Sequence, residues 1–354
     1  MTKVLLAGGG TGGHVYPLLA VAEHLRSVGH EVFALGTATG LEAELVPAAG
    51  FPLIEIPKLS FPRRVSASAF RFPARYLKLR LQVAARLLDL GIELVIGFGG
   101  YAAAPAYSAA SRLGIPFVVH EANVRPGLAN RLGARRAAAV ACAFPGTKLA
   151  HAVVVGMPIR HEFTRSLSLD AAQARVELGL DPLTPTLLVT GGSLGAQRIN
   201  KGILASLELT RAAGIQVFHI AGKGSGLEPV TEPGYLRVGY LHRMDVAMAA
   251  ASFAISRAGA STVSELMLFG VPALLVPYPV GNGEQQQNAE FAVGVGAAQM
   301  VLDRDFDHSA VAELVVPTIS SAKRLQQMRK CARSNSAPNA TERLVQLALA
   351  QVDT

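Results

Sequence analysis

The sequence is short of three things, and each shortage excludes a class of protein. Cysteine occurs only twice, at Cys142 inside an apolar run and far away at Cys331, so there is neither a disulfide framework nor a thiolate metal cluster. Charged residues make up 16% of the 354 positions against 50% apolar, which excludes a disordered polyelectrolyte. The chain also has no uninterrupted apolar run of membrane length. Residues 266–283 come nearest, but Gly270, Pro272, Pro277 and Pro279 break them into a helix end, a short strand and a loop. The first apolar run, residues 4–7, stops at a glycine cluster and is too short for the core of a signal peptide. Secretion is therefore not expected, and a reducing cytosol fits best.

One stretch lacks acid altogether. Residues 56–88 hold Lys58, Arg63, Arg64, Arg71, Arg75, Lys78, Arg80 and Arg86 and no carboxylate, so this segment alone equals the net charge of +8. Divided at His161, the first part carries 17 basic and 8 acidic residues and the rest 16 and 17. The cationic N-terminal half asks for an anionic partner: phosphate, nucleic acid or a membrane surface.

Short aliphatic runs alternate with helix-length segments, the pattern of βαβ units around a parallel sheet. Strands are expected at 4–7, 31–35, 52–56, 94–97, 116–120, 138–142 and 153–156, then at 186–190, 215–221, 235–239, 253–256 and 273–276. Helices are expected at 17–28, 103–113 and, at the end, 309–351. The simplest account is an α/β chain of two Rossmann-like domains, 1–160 and 161–354, whose strand ends face a shared cleft. Each half opens with an aliphatic strand entering a glycine loop, LLAGGGTGGH from Leu5 and LLVTGGSLGAQ from Leu187.

Gly8, Gly10 and Gly13 match the dinucleotide fingerprint after a strand and before a helix. Glycines admit a diphosphate to the backbone, and a helix N-terminus offers unpaired N–H donors; the alternative is a tight strand-to-helix turn. A nicotinamide-dependent oxidoreductase would need an acid at the end of the second strand, where Gly36 and Thr37 stand instead. His14 follows the loop directly. A histidine there suits a general base, or else simply bonds the loop backbone. GFGGYAAAP from Gly97 and HEANVRPG from His120 are further strand-end loops, and Asn123 could hold a sugar hydroxyl or cap a helix. His120 and Glu121 lack a second histidine at metal spacing.

In the second half, Gly191, Gly192 and Ser193 form a diphosphate cradle. SRAGASTVSEL from Ser256 brings Thr262 and Glu265 into the first turns of a helix, where the carboxylate suits a ribose diol or the helix dipole. The loop from Pro277 presents Asn282, Glu284, Gln285 and Asn288. Asp303, Asp305 and Asp307 alternate as a divalent-ion site would, but they precede a helix that Asp307 would cap. No metal and no cofactor are expected.

Taken together, GGGTGGHVYP, GFGGYAAAP, HEAN, VGMPIRHEF, GGSLGAQ, SRAGASTVSEL and PYPVGNGEQQQNA, in this order over nearly the whole chain, resemble the MurG family. This resemblance implies the GT-B fold, with the C-terminal helix packing back toward the N-terminal domain. It also implies an inverting transfer of N-acetylglucosamine from UDP-GlcNAc to an undecaprenyl-linked muramyl acceptor (lipid I) in peptidoglycan synthesis. The donor belongs mainly to the C-terminal domain and the acceptor to the N-terminal one. The resemblance makes His14 the base. Thr11, Gly12, Gly13, Asn123, Arg160, Ser193, Leu241, Ala260, Ser261, Thr262, Val263, Ser264, Glu265 and Gln285 become the donor pocket, with Met244, Asn282, Glu284 and Asn288 as outlying members. It gives the acidic trio no metal role.

The cationic segment interleaves its arginines with Phe61, Phe70, Phe72, Tyr76, Leu77, Leu79 and Leu81, as in a surface lying on an anionic membrane with apolar groups dipping in. No nucleic-acid module is present, and a peripheral position on the cytoplasmic face of the cell membrane follows. Besides the oxidoreductase, the rival reading is a non-catalytic binder of lipid-linked sugar phosphates.

Overall fold

The computed structural model describes residues 1–62, 67–192 and 195–352. The chain divides into two compact units, one of Met1–His161 with Asn339–Thr354, the other of Glu162–Pro338.

In the first unit β1 (Lys3–Gly8), β2 (Glu31–Thr37), β3 (Leu53–Ile56), β4 (Leu94–Gly99), β5 (Phe117–Glu121), β6 (Ala139–Cys142) and β7 (Ala152–Val154) form one sheet. Its order is β3-β2-β1-β4-β5-β6-β7, with every neighbouring pair parallel. A parallel sheet is covered on both faces, so its strands read as unbroken apolar runs. β1 shows this directly. Val4 and Leu6 pack among residues of the helices Gly12–Ser27 and Ala340–Leu349, while Leu5 and Ala7 pack among those of Ala67–Asp89 and Gly100–Leu113. Strand order reverses between β1 and β4, so the loops after those strands, GGGTGG and GGY, flank the crevice where open α/β sheets take ligands.

The second unit repeats the plan with β8 (Thr186–Thr190), β9 (Gln216–Ile220), β10 (Val230–Glu232), β11 (Tyr235–Val238), β12 (Phe253–Ser256), β13 (Ala273–Leu275) and β14 (Ala298–Met300). The order is β10-β11-β9-β8-β12-β13-β14, parallel except for the β10–β11 hairpin. Its switch point lies between β8 and β12.

Four sequence expectations need adjusting. Residues 339–352, counted with the second domain from sequence, pack with the first unit, as the family resemblance implied for the C-terminal helix: Leu344, Val345 and Ala348 are buried in the cluster that holds Val4 and Leu6. β10 and β14 were not anticipated; their sequences, VTE and AQM, are not aliphatic runs, unlike those of the equally short β7 and β13. The first helix begins at Gly12, not at residue 17, since the extended backbone of Thr11 lets its carbonyl accept from His14 and Val15 N–H. That places His14 in the first turn.

The fourth adjustment concerns residues 56–88, of which Arg63 and Arg64 lie outside the described residues. Leu79 does not dip outward: with Val83 and Leu87 it is buried in the core. Phe61, Phe72 and Tyr76 pack on one another with ring centroids 5.1–6.4 Å apart, and the Tyr76 hydroxyl donates to Ala104 O at 3.0 Å. The apolar groups left outside are Phe70, Leu77, Leu81 and Leu88. At about 100° per residue these four fall on one stripe, with Arg71, Arg75 and Lys78 exposed beside it.

Candidate active site

In the first unit the chemistry gathers at the β1/β4 switch point. His14 is half-buried, and its Nδ1 lies 3.0 Å from Gly9 O and 3.3 Å from the Thr11 hydroxyl. A carbonyl only accepts, so Nδ1 carries a proton, and in the neutral ring the lone pair is then on Nε2. That nitrogen is turned toward β4, where a Cβ on Gly99 would come within 3.0 Å of it. Gly99 has φ +98° and Gly100 φ +77°, and a side chain on Gly100 would run into Gly9 O. The two glycines thus let the β4 loop close against the β1 loop.

β5 supplies the adjoining wall. Glu121 is buried and accepts from Asn123 N–H (2.9 Å), Asn123 Nδ2 (3.3 Å), Gly127 N–H (3.0 Å) and Asn130 Nδ2 (2.9 Å). Asn130 also takes the Tyr107 hydroxyl at 2.8 Å and donates to His120 O. Burial, then the Glu121 charge, push the Tyr107 hydroxyl well above its ordinary range, so it remains a donor. Asn123 is therefore shaped by Glu121 rather than by a helix-capping role. His120 is fully buried with Nε2 on Gly156 O at 3.0 Å, and burial lowers its pKa to about 4, partly offset by that bond. Arg160 belongs to this unit too: its guanidinium lies 4.4 Å from the centre of the Tyr16 ring, next to Gly12. The structure thus gathers Thr11, Gly12, Gly13, His14 and Arg160 about one helix N-terminus.

In the second unit, helix Ala260–Phe269 starts at the end of β12 with Gly259 as an N-cap that has no capping side chain and no acid in the first turn. Its first N–H groups therefore carry the unscreened positive end of the helix dipole. Ala260 and Val263 are buried, Val263 in the core, while Ser261, Thr262, Ser264 and Glu265 are half-buried. The Ser261 hydroxyl is enclosed with no protein hydrogen bond. Gln285 Oε1 accepts both Ala258 N–H (3.2 Å) and Tyr278 N–H (3.0 Å), and Asn288 Nδ2 donates to Ala258 O (3.2 Å). Leu241 is half-buried just before the helix Met244–Ala250. Ser193 lies outside the described residues.

Asn282 and Glu284 satisfy each other's backbone: Asn282 N–H bonds Glu284 Oε2 at 3.1 Å and Glu284 N–H bonds Asn282 Oδ1 at 3.2 Å. Asp307 caps the following helix through Ser309 and Ala310 N–H. Asp303 instead pairs with Arg257 at 2.6 Å and Arg198 at 3.3 Å. Among the described residues, no group of three or more potential ligands could hold a metal ion.

Sequence reasoning missed Glu42, Tyr107, Asn130 and Arg257. Glu42 is 1% exposed and accepts from Gly10 N–H (2.8 Å), Thr37 N–H (2.9 Å) and the Thr37 hydroxyl (2.7 Å). Burial by itself would raise its pKa, but these bonds outweigh it and hold the carboxyl below its usual value. The Gly10 amide, central to a dinucleotide fingerprint, is thereby already occupied, which removes the basis for a nicotinamide reading. The signal available in sequence was an acid in the helix after β2, displaced from the expected position.

Two doubly wound units with glycine loops at their switch points are the architecture of the GT-B fold. Residues 4–142 match the glycosyltransferase family 28 N-terminal domain and residues 186–344 its C-terminal domain. A UDP-N-acetylglucosamine--N-acetylmuramyl-(pentapeptide) pyrophosphoryl-undecaprenol N-acetylglucosamine transferase of Clavibacter michiganensis is 50% identical, covering 98% of this chain and 96% of that protein. The same-named protein of Leifsonia xyli is 49% identical over 98% of both. The crystal structure of Acinetobacter baumannii MurG superposes with a TM-score of 0.80 at 30% identity, covering 99% of this chain and 100% of that one. The chain belongs to glycosyltransferase family 28, in its MurG family.

Proposed function

We propose that this protein transfers N-acetylglucosamine from UDP-GlcNAc to the C4 hydroxyl of the muramyl sugar of lipid I, giving lipid II, with His14 as general base. The observation that carries the reading is the His14 ring: Nδ1 donates to Gly9 O, so Nε2 is the nitrogen ready to take the acceptor's proton as the oxygen attacks the anomeric carbon. Inversion follows from that single displacement, and UDP departs with its charge met by N–H groups and fixed dipoles.

The donor's diphosphate is assigned to the uncapped helix starting at Ala260 and to the loop containing Ser193, its ribose to Glu265, and its uracil to the backbone at Leu241. Ser261 offers an unclaimed hydroxyl in the second unit; in the first unit Thr11, Gly12, Gly13, Asn123 and Arg160 are assigned to sugar recognition through the family likeness. Gln285 and Asn288 hold the shape of this pocket through Ala258. Asn282, Glu284 and Met244 stay at its margin.

Among the described residues no helix is long and apolar enough to cross a membrane. The stripe of Phe70, Leu77, Leu81 and Leu88 beside Arg71, Arg75 and Lys78 supports peripheral docking on an anionic leaflet, the phase that carries an undecaprenyl acceptor. Incubation with UDP-GlcNAc and a soluble lipid I analogue should release UDP and form the disaccharide. Binding of both ligands by a folded protein without UDP release would make it a carrier and refute the reading.

A further inference from the structure

The peptide unit joining Gly9 to Gly10 is engaged on both sides. Its carbonyl accepts the His14 Nδ1 proton at 3.0 Å, and its N–H donates to Glu42 Oε2 at 2.8 Å. Three glycines make room for this carboxylate, since a Cβ on Gly9, Gly36 or Gly40 would overlap the Glu42 side chain. The Thr37 hydroxyl and N–H both bond Oε1, which leaves Oε2 directed at the loop. An amide whose N–H is bound to a carboxylate is polarised and becomes a stronger acceptor at its oxygen.

We propose that Glu42 is a positioning residue that acts on His14 through this single peptide, holding the imidazole in its Nδ1–H form and favouring its protonated state as the acceptor hydroxyl is deprotonated. The proposal rests on the reading of His14 as the base for its catalytic consequence only. The arrangement performs what a carboxylate hydrogen-bonded directly to a catalytic histidine performs, with a peptide group interposed.

Other titratable groups stand on the neighbouring elements of this unit. Tyr101 and Tyr107 belong to the helix Gly100–Leu113, and Lys58 lies 4.9 Å from the centre of the Tyr101 ring. His120 and Glu121 belong to β5, and Arg160 rests on Tyr16. Tyr107 and the buried His120 are uncharged at neutral pH, and Lys58 and Arg160 are cations. Glu121 is bonded to Asn123, Gly127 and Asn130. Glu42 is the carboxylate whose bonds lead to the ring.

The test compares the full-length wild type with Glu42→Gln, which keeps the shape and loses the charge. Nitrogen-15 shifts of the His14 ring should show Nδ1–H as the dominant neutral tautomer in the wild type. In Glu42→Gln the ratio of Nδ1–H to Nε2–H should fall about threefold, the part of the lost charge-assisted bond at Gly10 N–H that cooperative polarisation, about 10–30% per bond, passes to the Gly9 carbonyl. The acidic limb of the kcat/KM profile should move to lower pH, while the donor KM holds.

An unchanged tautomer ratio in folded Glu42→Gln would overturn the proposal. Should that variant fail to fold, the wild-type Gly10 amide serves instead: its resonance should track the His14 ring titration, and silence there overturns the proposal equally. A shifted tautomer with an unmoved acidic limb supports the coupling and counts against His14 as the base, so the two readings fail separately.

Discussion

The two units repeat one architecture and use it in opposite ways. In the first, the strand-end glycine loop is bound from within by an anion, the Glu42 carboxylate on Gly10 N–H. In the second, the backbone of Ala258 is fastened by neutral amides, Gln285 and Asn288, while the carboxylate nearby, Asp303, is taken up by the Arg257 side chain. A loop already occupied by the chain's own carboxylate is a poor receptor for a dianion. One fastened by neutral groups keeps the positive end of its helix available. A strand-end loop therefore holds the His14 ring in one unit and leaves an uncapped helix N-terminus in the other. The difference lies in what stands behind the loop.

The largest way to break this contrast is to remove the base. His14→Ala should lower kcat by about 10²–10⁴, the usual contribution of a positioned proton acceptor, and leave the affinity for UDP-GlcNAc unchanged. Stopped-assay kinetics together with donor titration would check both; an equal loss in donor affinity would move His14 into the donor pocket and erase the division of labour.

Next in size is acid sensitivity, which the two units should share. His120 and His219 are both fully buried and held to about 4, His120 by burial and His219 by burial and then Arg237. An unfolded imidazole near 6.5 takes up a proton on acidification that the folded ring refuses. The stabilisation is complete above about pH 6.5 and is lost as pH falls toward 4, by about 3 kcal/mol for each ring. Urea unfolding from pH 7 down to 4.5 should show the loss, and His219→Gln should flatten it in the second unit alone. A pH-independent midpoint would contradict the sign argument.

A smaller effect should come from the neutral clasp. Gln285→Ala leaves Ala258 and Tyr278 N–H without their acceptor, a cost of about 1–3 kcal/mol. The donor KM should rise about tenfold with kcat little changed. A fall in kcat at constant KM would mean that the clasp belongs with the base rather than with the donor.

What the sequence disclosed follows from chain-local physics. Aliphatic runs ending in glycine marked β1, β4 and β8, and an apolar run before a small-residue turn marked β12, and so both switch points, because burial on two faces and a tight strand-to-helix turn are written in adjacent residues. Asp307 was legible as a cap for the same reason. What stayed hidden depends on pairings distant in sequence. Glu42 reaches Gly10 across 32 positions and Arg257 reaches Asp303 from a different strand end, and neither has a local signature. The helix 67–89 was partly misread because its apolar residues were taken as one interleaved set, although at about 100° per residue they divide between two faces. Only packing reveals that Leu79 faces the core while Leu77 and Leu81 face out.

The smallest predicted effect tests whether charge, like chemistry, is divided between the units. Arg75 stands exposed beside the stripe of Phe70, Leu77 and Leu81, and Lys323 stands exposed on the helix Ala322–Ser334 of the second unit. Both are solvated cations of the same formal charge, so a protein attracted to anionic lipid only by its net charge would lose equal affinity from either neutralisation. A surface that lies on the leaflet holds its own cations within a Debye length of the headgroups, where each contributes about 1 kcal/mol. Arg75→Gln should therefore weaken sedimentation with phosphatidylserine vesicles about fivefold, and Lys323→Gln should leave it unchanged. Equal losses would return the cationic segment to an ordinary solvated helix face.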